Sequence, residues 1–136
     1  MGRRKRVIAA AVISSGGQEH LAISWAADNL NAEKIEVVQV NQFPLVFSQK
    51  KTDAHKELKT DVEFIVKMFR ARTIIVTPHW EEEDLSEKEK RRALFRAMRA
   101  IKKWNLPIER IIGIRFKGDG AVSHVVIERV VERGYY

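Results

Sequence analysis

Apolar residues occur along the chain in short runs, which alternate with longer segments of mixed character. The first run, RVIAAAVI at positions 6–13, has strand length and no polar residue after its first position. Such a run is typical of a strand that is buried on both faces of a parallel sheet. Comparable runs rich in Ile and Val predict further strands at 35–40, 73–77 and 111–116, and a last extended segment at 122–131.

Between these runs, apolar residues recur at the spacing of an amphipathic helix. The first helix is expected at 18–30, after a break at Ser-Ser-Gly-Gly. Asp53 can cap a second helix, and Ser86 with Glu89 forms a capping-box pair that opens a third, which ends at about Trp104. The apolar faces of these helices comprise Leu21, Ala22, Trp25, Ala26 and Leu30 in the first, Leu58, Val62, Ile65 and Phe69 in the second, and Leu94, Met98 and Ile101 in the third.

The alternation of strands and helices predicts a single α/β domain. The 136 residues suit one compact domain, and we find no internal repeat and no linker. Strands that are separated by helices pair in parallel through right-handed crossovers, which place helices on both faces of the sheet. We therefore expect a Rossmann-like domain at 7–136, with a mostly parallel central sheet of four to five strands, preceded by a basic tail at 1–6.

The formal net charge of +7 raises the question of a nucleic-acid partner. Four basic residues lie in the tail, at Arg3, Arg4, Lys5 and Arg6, and the rest of the chain has 21 basic and 18 acidic residues. The tail can contact phosphates, although such a segment more commonly serves as a solvated leader. A basic stripe opposite the apolar face of the last helix lacks base-reading Asn or Gln and interleaved aromatic residues, and we interpret it as a solvated surface: Lys88, Arg92, Arg96, Arg99 and Lys103.

The chain contains no cysteine, which excludes disulfides, thiolate nucleophiles and cysteine-ligated metal sites.

No apolar run approaches the roughly 20 residues of a membrane span. We interpret the N-terminal apolar run as a strand and not as a signal peptide. A cytoplasmic protein without a membrane partner is therefore expected, and the abundance of Glu, Lys, Arg, Ile and Val suits a thermostable one.

Polar residues follow three of the predicted strands at their carboxyl ends. Ligands of open α/β sheets bind at this edge, near the point where the strand order switches. If the first and third strands are neighbours, His20 and His79 face one crevice together with Glu82. The candidate ligand pocket therefore comprises Ser14, Ser15, Gly16, Gly17, Gln18, Glu19, His20, Asn41, His79 and Glu82.

Structural explanations remain open for each part of this pocket. The Ser-Ser-Gly-Gly segment can be a tight turn whose hydroxyls cap the following helix. His79 can be a polar strand terminus, and the acidic run at 81–84 precedes a helix, where the helix dipole favours negative charge. We assign no role to His55 and His124, which have no acidic or histidine neighbour in sequence.

The order of these motifs resembles the β-class carbonic anhydrases, and the similarity extends over nearly the whole chain. It is carried by the segments AAVISSGGQ, IEVVQVNQFPLV, IIVTPHWEEE and IIGIRFKGDGAV. The resemblance implies an α/β fold, a homodimer and a zinc site at the strand ends. Ser14 and Glu82 stand where the family has its metal-binding cysteines, and His79 stands where it has its histidine. Gly16 and Gln18 replace the family's Asp and Arg.

These departures predict that the family's zinc site has been lost. Zinc usually takes three protein ligands and keeps an open position for the water that it acidifies, and a serine hydroxyl is a poor ligand. We therefore expect no cofactor, with His79, Glu82 and His20 as weak candidates for a rebuilt metal site or hydrolase. The leading hypothesis is a non-catalytic binding or assembly protein, whose homodimer Trp25 and Trp80 could help to form.

The alternative hypothesis is a nucleotide-binding protein of the PP-loop ATP pyrophosphatase type. The segment VISSGGQEH resembles that family's Ser-Gly-Gly phosphate loop, with Ser15, Gly16 and Gly17 at the matching positions. Glycines allow backbone amides to approach phosphates at a helix N-terminus. Glu19 and His20 replace the Asp and Ser of the family, so the loop is incomplete. On this hypothesis the ligand is ATP.

Overall fold

The computed structural model describes residues 8–40, 45–48, 52–78 and 86–130. Within these ranges the strands are β1 (Ala9–Ser14), β2 (Lys34–Gln39), β3 (Thr73–Thr77), β4 (Arg110–Phe116) and β5 (Val122–Arg129). They form one sheet in the order β2-β1-β3-β4-β5. The first three pairings of the sheet are parallel, and β5 runs antiparallel to β4. The predicted α/β fold with a mostly parallel sheet is confirmed.

Helices cover both faces of this sheet, as predicted. They are α1 (Glu19–Leu30), α2 (Leu45–Ser48), α3 (Asp53–Phe69) and α4 (Glu87–Lys103). One buried cluster joins α1 to one face, and a larger cluster joins α2, α3 and α4 to the other. No helix within the described ranges combines the length and the apolarity that crossing a bilayer requires.

β1 alternates between the two clusters and is buried along its whole length. Ala9 and Ala11 belong to the cluster of α3 and α4, and Ala10 belongs to the cluster of α1. Since alanine side chains are short, helices can approach β1 closely from both sides. The continuous apolar run of the sequence therefore forms the doubly buried strand that it predicts.

The predicted helix starts are correct for α4 and displaced by one residue for α3. Ser86 caps α4, because its Oγ accepts a hydrogen bond from the Glu89 amide at 3.2 Å. The cap of α3 is Thr52, whose Oγ1 accepts from the His55 amide at 3.3 Å. Asp53 is not the cap and instead begins the first turn, where its charge suits the helix dipole. The sequence did not predict α2, since four residues are too few to show a helical period.

The predicted inner face of α4 is confirmed, since Leu94, Met98 and Ile101 are each 0% exposed. Gly113 in β4 allows this face to approach the sheet closely. A Cβ atom at Gly113 would lie 2.8 Å from Met98 Sδ and 2.9 Å from Leu94 Cδ1. The absence of a side chain at this position thus sets how closely α4 packs on β4.

A buried histidine joins the three helices on this face. His55 is only 6% exposed, and its Nδ1 lies 2.7 Å from the Val46 carbonyl oxygen of α2. Trp104, at the end of α4, donates from Nε1 to His55 Nε2 over 3.3 Å. These two bonds place the ring hydrogen of His55 on Nδ1. His55, to which the sequence analysis assigns no role, therefore holds α2, α3 and α4 together.

Replacing His55 by leucine is expected to lower the free energy of unfolding by about 2 kcal/mol, because the Val46 carbonyl and the Trp104 indole N–H lose their buried partner. Denaturant unfolding followed by tryptophan fluorescence measures this change. His124→Leu, at a half-buried position of β5, is the control and should change stability by less than about 0.5 kcal/mol. Equal stability of the two variants would contradict the linking role of His55.

Candidate functional site

The carboxyl ends of β1 and β3 lie side by side where the strand order of the sheet switches. From β1 the chain crosses to β2 on one side, and β3 then returns to the other side of β1. Sheets of this order bind ligands in the crevice at that point. Ser14, the last residue of β1, is paired with Thr77, the last residue of β3. The first and third strands are therefore neighbours, which is the condition on which the predicted crevice depends.

The turn after β1 depends on its two glycines and on Ser14. Gly16 has φ 104° and Gly17 has φ 81°, both in the region that glycine enters without steric cost. Ser14 Oγ accepts a hydrogen bond from the Gly16 amide at 3.1 Å. The Ser14 carbonyl accepts from the Val40 amide at 2.8 Å, which fastens the turn to the end of β2. Ser14 thus orders the turn and does not cap α1.

The start of α1 has no side-chain cap. Gln18 occupies the capping position and makes no capping hydrogen bond. Leu21 is the first residue of α1 whose amide donates to a described backbone carbonyl, that of Gln18 at 3.1 Å. The amides before it are the donors that every helix start leaves unpaired, and they carry positive partial charge. A Cβ atom on Gly16 would meet no atom within 4 Å, so the space beside Gly16 is open.

Thr77 adds a buried hydroxyl without a partner at the same place. The residue is 0% exposed, and its Oγ1 has no hydrogen-bond partner in the part of the chain that the structure describes. Thr77 faces the side of the sheet that α1 covers, because Ile75, two residues earlier, belongs to the same buried cluster as Ala22 of α1. An unsatisfied hydroxyl in the interior costs about 1–3 kcal/mol. A bound group that accepts or donates a hydrogen bond here would remove this cost.

The other predicted pocket residues are placed as follows. Ser15 is half-buried, Gln18 is buried and His20 is exposed. Glu19 Oε1 accepts a hydrogen bond from Gln39 Nε2 at 2.8 Å, which connects the start of α1 to the end of β2. The structure therefore brings the residues from 14 to 20 together around one turn, with Thr77 beside them.

Three predicted pocket residues, Asn41, His79 and Glu82, lie outside the described residues, and so do Trp80 and the tail at 1–6. A shared crevice of His20 with His79 and Glu82 therefore stays a prediction. Among the residues that the structure describes, no group of three His, Cys, Asp or Glu side chains could hold a metal ion.

A charge pair fixes the start of α4 at the same edge of the sheet. Arg115 of β4 is 8% exposed, and its Nη1 and Nη2 donate to the two carboxylate oxygens of Glu87 at 2.9 and 3.2 Å. The hydrogen bond from Arg115, followed by its charge, lowers the pKa of Glu87 below the ordinary value of 4.5. This pair was not predicted from the sequence, although a signal is present: Arg115 is a lone charge inside the buried run IIGIRF.

A cavity of about 620 Å³ lies at the opposite edge of the sheet, lined by Ile8, Leu30, Phe69, Arg72 and Arg110 among others. It shares no residue with the turn after β1. The helices α1 and α3 end there, and their C-terminal carbonyls favour nearby cations, which accounts for its arginines. Ligands of open α/β sheets bind at the other edge. We therefore assign the candidate site to the β1–α1 turn.

A comparison with the models of known protein families finds no match for this chain, and a comparison with curated protein sequences finds none either. The resemblances to the β-class carbonic anhydrases and to the PP-loop enzymes therefore stay predictions. The homodimer, the cytoplasmic location and the thermostability also stay predictions.

Two threonines of β3 allow a paired test of the unsatisfied hydroxyl. Thr77→Val should raise the free energy of unfolding by about 1 kcal/mol, since it removes a buried polar group that lacks a partner. Thr73 lies on the same face of the same strand, but its Oγ1 accepts a hydrogen bond from Arg110 Nε at 2.9 Å. Thr73→Val should therefore lower the same quantity. Denaturant unfolding without ligand measures both, and a destabilised Thr77→Val protein would show that the hydroxyl has a partner.

The Arg115–Glu87 pair predicts a pH-dependent contribution to stability. The folded protein lowers the pKa of Glu87, so its contribution is present above the ordinary value of 4.5 and is lost as the pH falls through the folded-state value. Glu87→Gln should melt at a lower temperature than wild type at neutral pH, and the difference should shrink below pH 4.5. Thermal melts across this range provide the measurement. Glu89→Gln is the control for loss of a charge in the first turn of α4, and identical melting of the two variants at neutral pH would disprove the contribution.

Proposed function

We propose that this protein binds a phosphate-bearing small molecule, in the simplest case a nucleotide, at the β1–α1 turn. The observation that carries the proposal is the buried hydroxyl of Thr77, which has no hydrogen-bond partner among the described residues, beside a helix start whose N-cap residue, Gln18, makes no capping bond. Both are polar groups that the protein leaves unsatisfied at one point, where the fold class binds ligands. A phosphate group supplies several acceptor oxygens for the helix amides and the hydroxyl. Contact with the Thr77 hydroxyl, which is 0% exposed, requires the side chains over it to move apart when the ligand binds.

The electrostatics of the turn favour an anion. Amides at a helix start bind phosphate because they direct partial positive charge at it, and glycines let the backbone approach closely. Gly16 has open space around it and Gly17 shares its left-handed conformation. The nearby carboxylate of Glu19 is engaged by Gln39 at its Oε1. Glu19 is also an oxygen ligand of the kind that Mg²⁺ uses together with phosphates, which favours a magnesium–nucleotide complex over a free phosphate.

This proposal includes binding and no reaction. It agrees with the hypothesis of a non-catalytic binding protein and adopts the ligand class of the PP-loop alternative. In the carbonic-anhydrase resemblance Ser14 stands at a metal-binding position. The hydrogen bond from the Gly16 amide to Ser14 Oγ supports the ordering of a turn as the role of this side chain.

Isothermal titration calorimetry with magnesium-ATP, inorganic phosphate and adenosine tests the proposal. Magnesium-ATP should bind more tightly than phosphate, and adenosine, which has no phosphate, should not bind. Adenosine that bound as tightly as ATP would refute a phosphate site, and the absence of heat with both phosphate-bearing ligands would refute the function.

The two threonine variants locate the binding site. Thr77→Val should weaken magnesium-ATP binding about tenfold, because a hydrogen bond to a charged oxygen is lost. Thr73→Val, at the opposite end of the same strand, should bind as wild type does. Since Thr77→Val is expected to be more stable than wild type, weaker binding cannot be attributed to unfolding. ATP affinity that is unchanged in Thr77→Val would place the ligand elsewhere.

A further inference from the structure

The outer face of α4 carries an unusual concentration of positive charge. Between positions 90 and 103 the helix has seven basic residues and no acidic one. Its acidic residues, Glu87 and Glu89, lie in the first turn only. The apolar face of α4 packs against the sheet. The cations therefore lie on the opposite side of the helix, away from the sheet. The exposed basic residues of α4 are Lys88, Arg91, Arg92, Arg96, Arg99, Lys102 and Lys103.

Within the described ranges, most of these cations form no ion pair. Lys90 pairs with Glu87 at 3.9 Å and Lys102 pairs with Glu128 at 2.9 Å. Among the described residues, no ion pair is formed by Arg91, Arg92, Arg96, Arg99 or Lys103. Arg92 and Arg96 are four positions apart, as are Arg99 and Lys103. Like charges at this spacing destabilise a helix by about 0.2–0.5 kcal/mol per pair, so the arrangement gives folding no benefit.

The helix α3 provides a comparison, because its charged residues have the pattern of a solvated helix. It has four acidic residues and three lysines in mixed order. One of its lysines, Lys67, pairs with Glu63 one turn away at 3.1 Å. Solubility alone therefore explains α3 but not α4, whose charges have a single sign over most of the helix.

An aromatic side chain lies inside the basic surface. Phe95 is 47% exposed, and helical spacing places Arg91, Arg92 and Arg99 within one turn of it. The prediction that the basic stripe lacks an interleaved aromatic residue is therefore wrong, because Phe95 lies on the exposed side of α4. Cations that surround an exposed aromatic ring are the elements of a single-strand binding surface, in which phosphates contact the cations and a base stacks on the ring.

We propose that the outer face of α4 binds single-stranded nucleic acid. This partner and its surface are separate from the nucleotide site proposed at the β1–α1 turn. The cations extend from Lys88 to Lys103, which is about 22 Å along the helix axis and enough for several phosphates. The helix has no Asn or Gln to read base edges, so binding is expected to depend little on sequence. A duplex has no unstacked base for Phe95. A membrane is a poorer fit, since an interfacial helix needs a free apolar face and that of α4 is buried.

The experiment is fluorescence anisotropy with a labelled single-stranded RNA of about 12 nucleotides at several salt concentrations. The triple variant Arg92→Glu, Arg96→Glu, Arg99→Glu should lose about 100-fold in affinity, and its slope of log K against log salt should become shallower by about 2. The matched control reverses three lysines of α3, Lys56→Glu, Lys59→Glu, Lys67→Glu, and has the same net charge. It should bind within about threefold of wild type, because its cations lie outside the surface.

A second pair of variants tests the aromatic residue. Phe95→Ala should weaken RNA binding about tenfold without changing the salt slope, because stacking involves no phosphate. Phe64→Ala removes a ring that is 58% exposed on α3 and should have no effect. Circular dichroism of all variants should show the wild-type helical signal.

Three outcomes would overturn the proposal. Equal losses in the two triple variants would mean that net charge alone determines binding. Full binding by the α4 variant would assign the contact to the N-terminal tail. An RNA that does not bind wild type at low salt would exclude this partner. Thr77→Val should bind RNA as wild type does, so failure of the nucleotide site and failure of the α4 surface are distinguishable.

Discussion

The burial of β1 on both faces is the constraint on which the rest of the structure depends. Its small side chains allow α1 to pack on one side and α3 on the other, while β2 and β3 pair with its two edges and α4 covers β3 and β4. Because β1 lies inside the sheet, the turn that follows it emerges between the ends of the neighbouring strands and not at the side of the sheet. The two glycines after β1 make that turn short, and α1 therefore begins directly over the point where the strand order switches.

This geometry concentrates unsatisfied polar groups at one place. Most buried polar groups of a folded protein have a partner, and Thr73 at the other end of β3 follows that rule. Thr77 has no such partner in the described part of the chain, although valine would fill the same space without a polar atom to bury. Its unsatisfied hydroxyl lowers the stability of the fold, and it lies beside a helix start whose N-cap residue makes no capping bond. Such a cost is typical of binding sites, because the groups that recognise a ligand must stay unsatisfied until it arrives.

The sequence predicted the fold well because strand burial and helical periodicity are local patterns. It also placed residues 14 to 20 at the correct edge, since the turn follows from two glycines after a buried strand. It could not identify Thr77, because its partner in the sheet, Ser14, is 63 positions away and the register is a property of the whole sheet. The same reason hides Arg115 and Glu87, which are 28 positions apart, and His55 with Trp104, which are 49 positions apart.

The basic surface of α4 illustrates a different limit of sequence interpretation. In the sequence, a stripe of cations opposite an apolar face has the same pattern whether the cations are only solvated or bind a partner. The distinction comes from the surroundings: α3 mixes its charges and pairs them, whereas most cations of α4 have no ion pair among the described residues. Repulsion within α4 is tolerable because Leu94, Met98 and Ile101 anchor the helix and the Arg115–Glu87 pair holds its first turn. The packing that positions α4 thus allows its outer face to carry charges that folding alone would not favour.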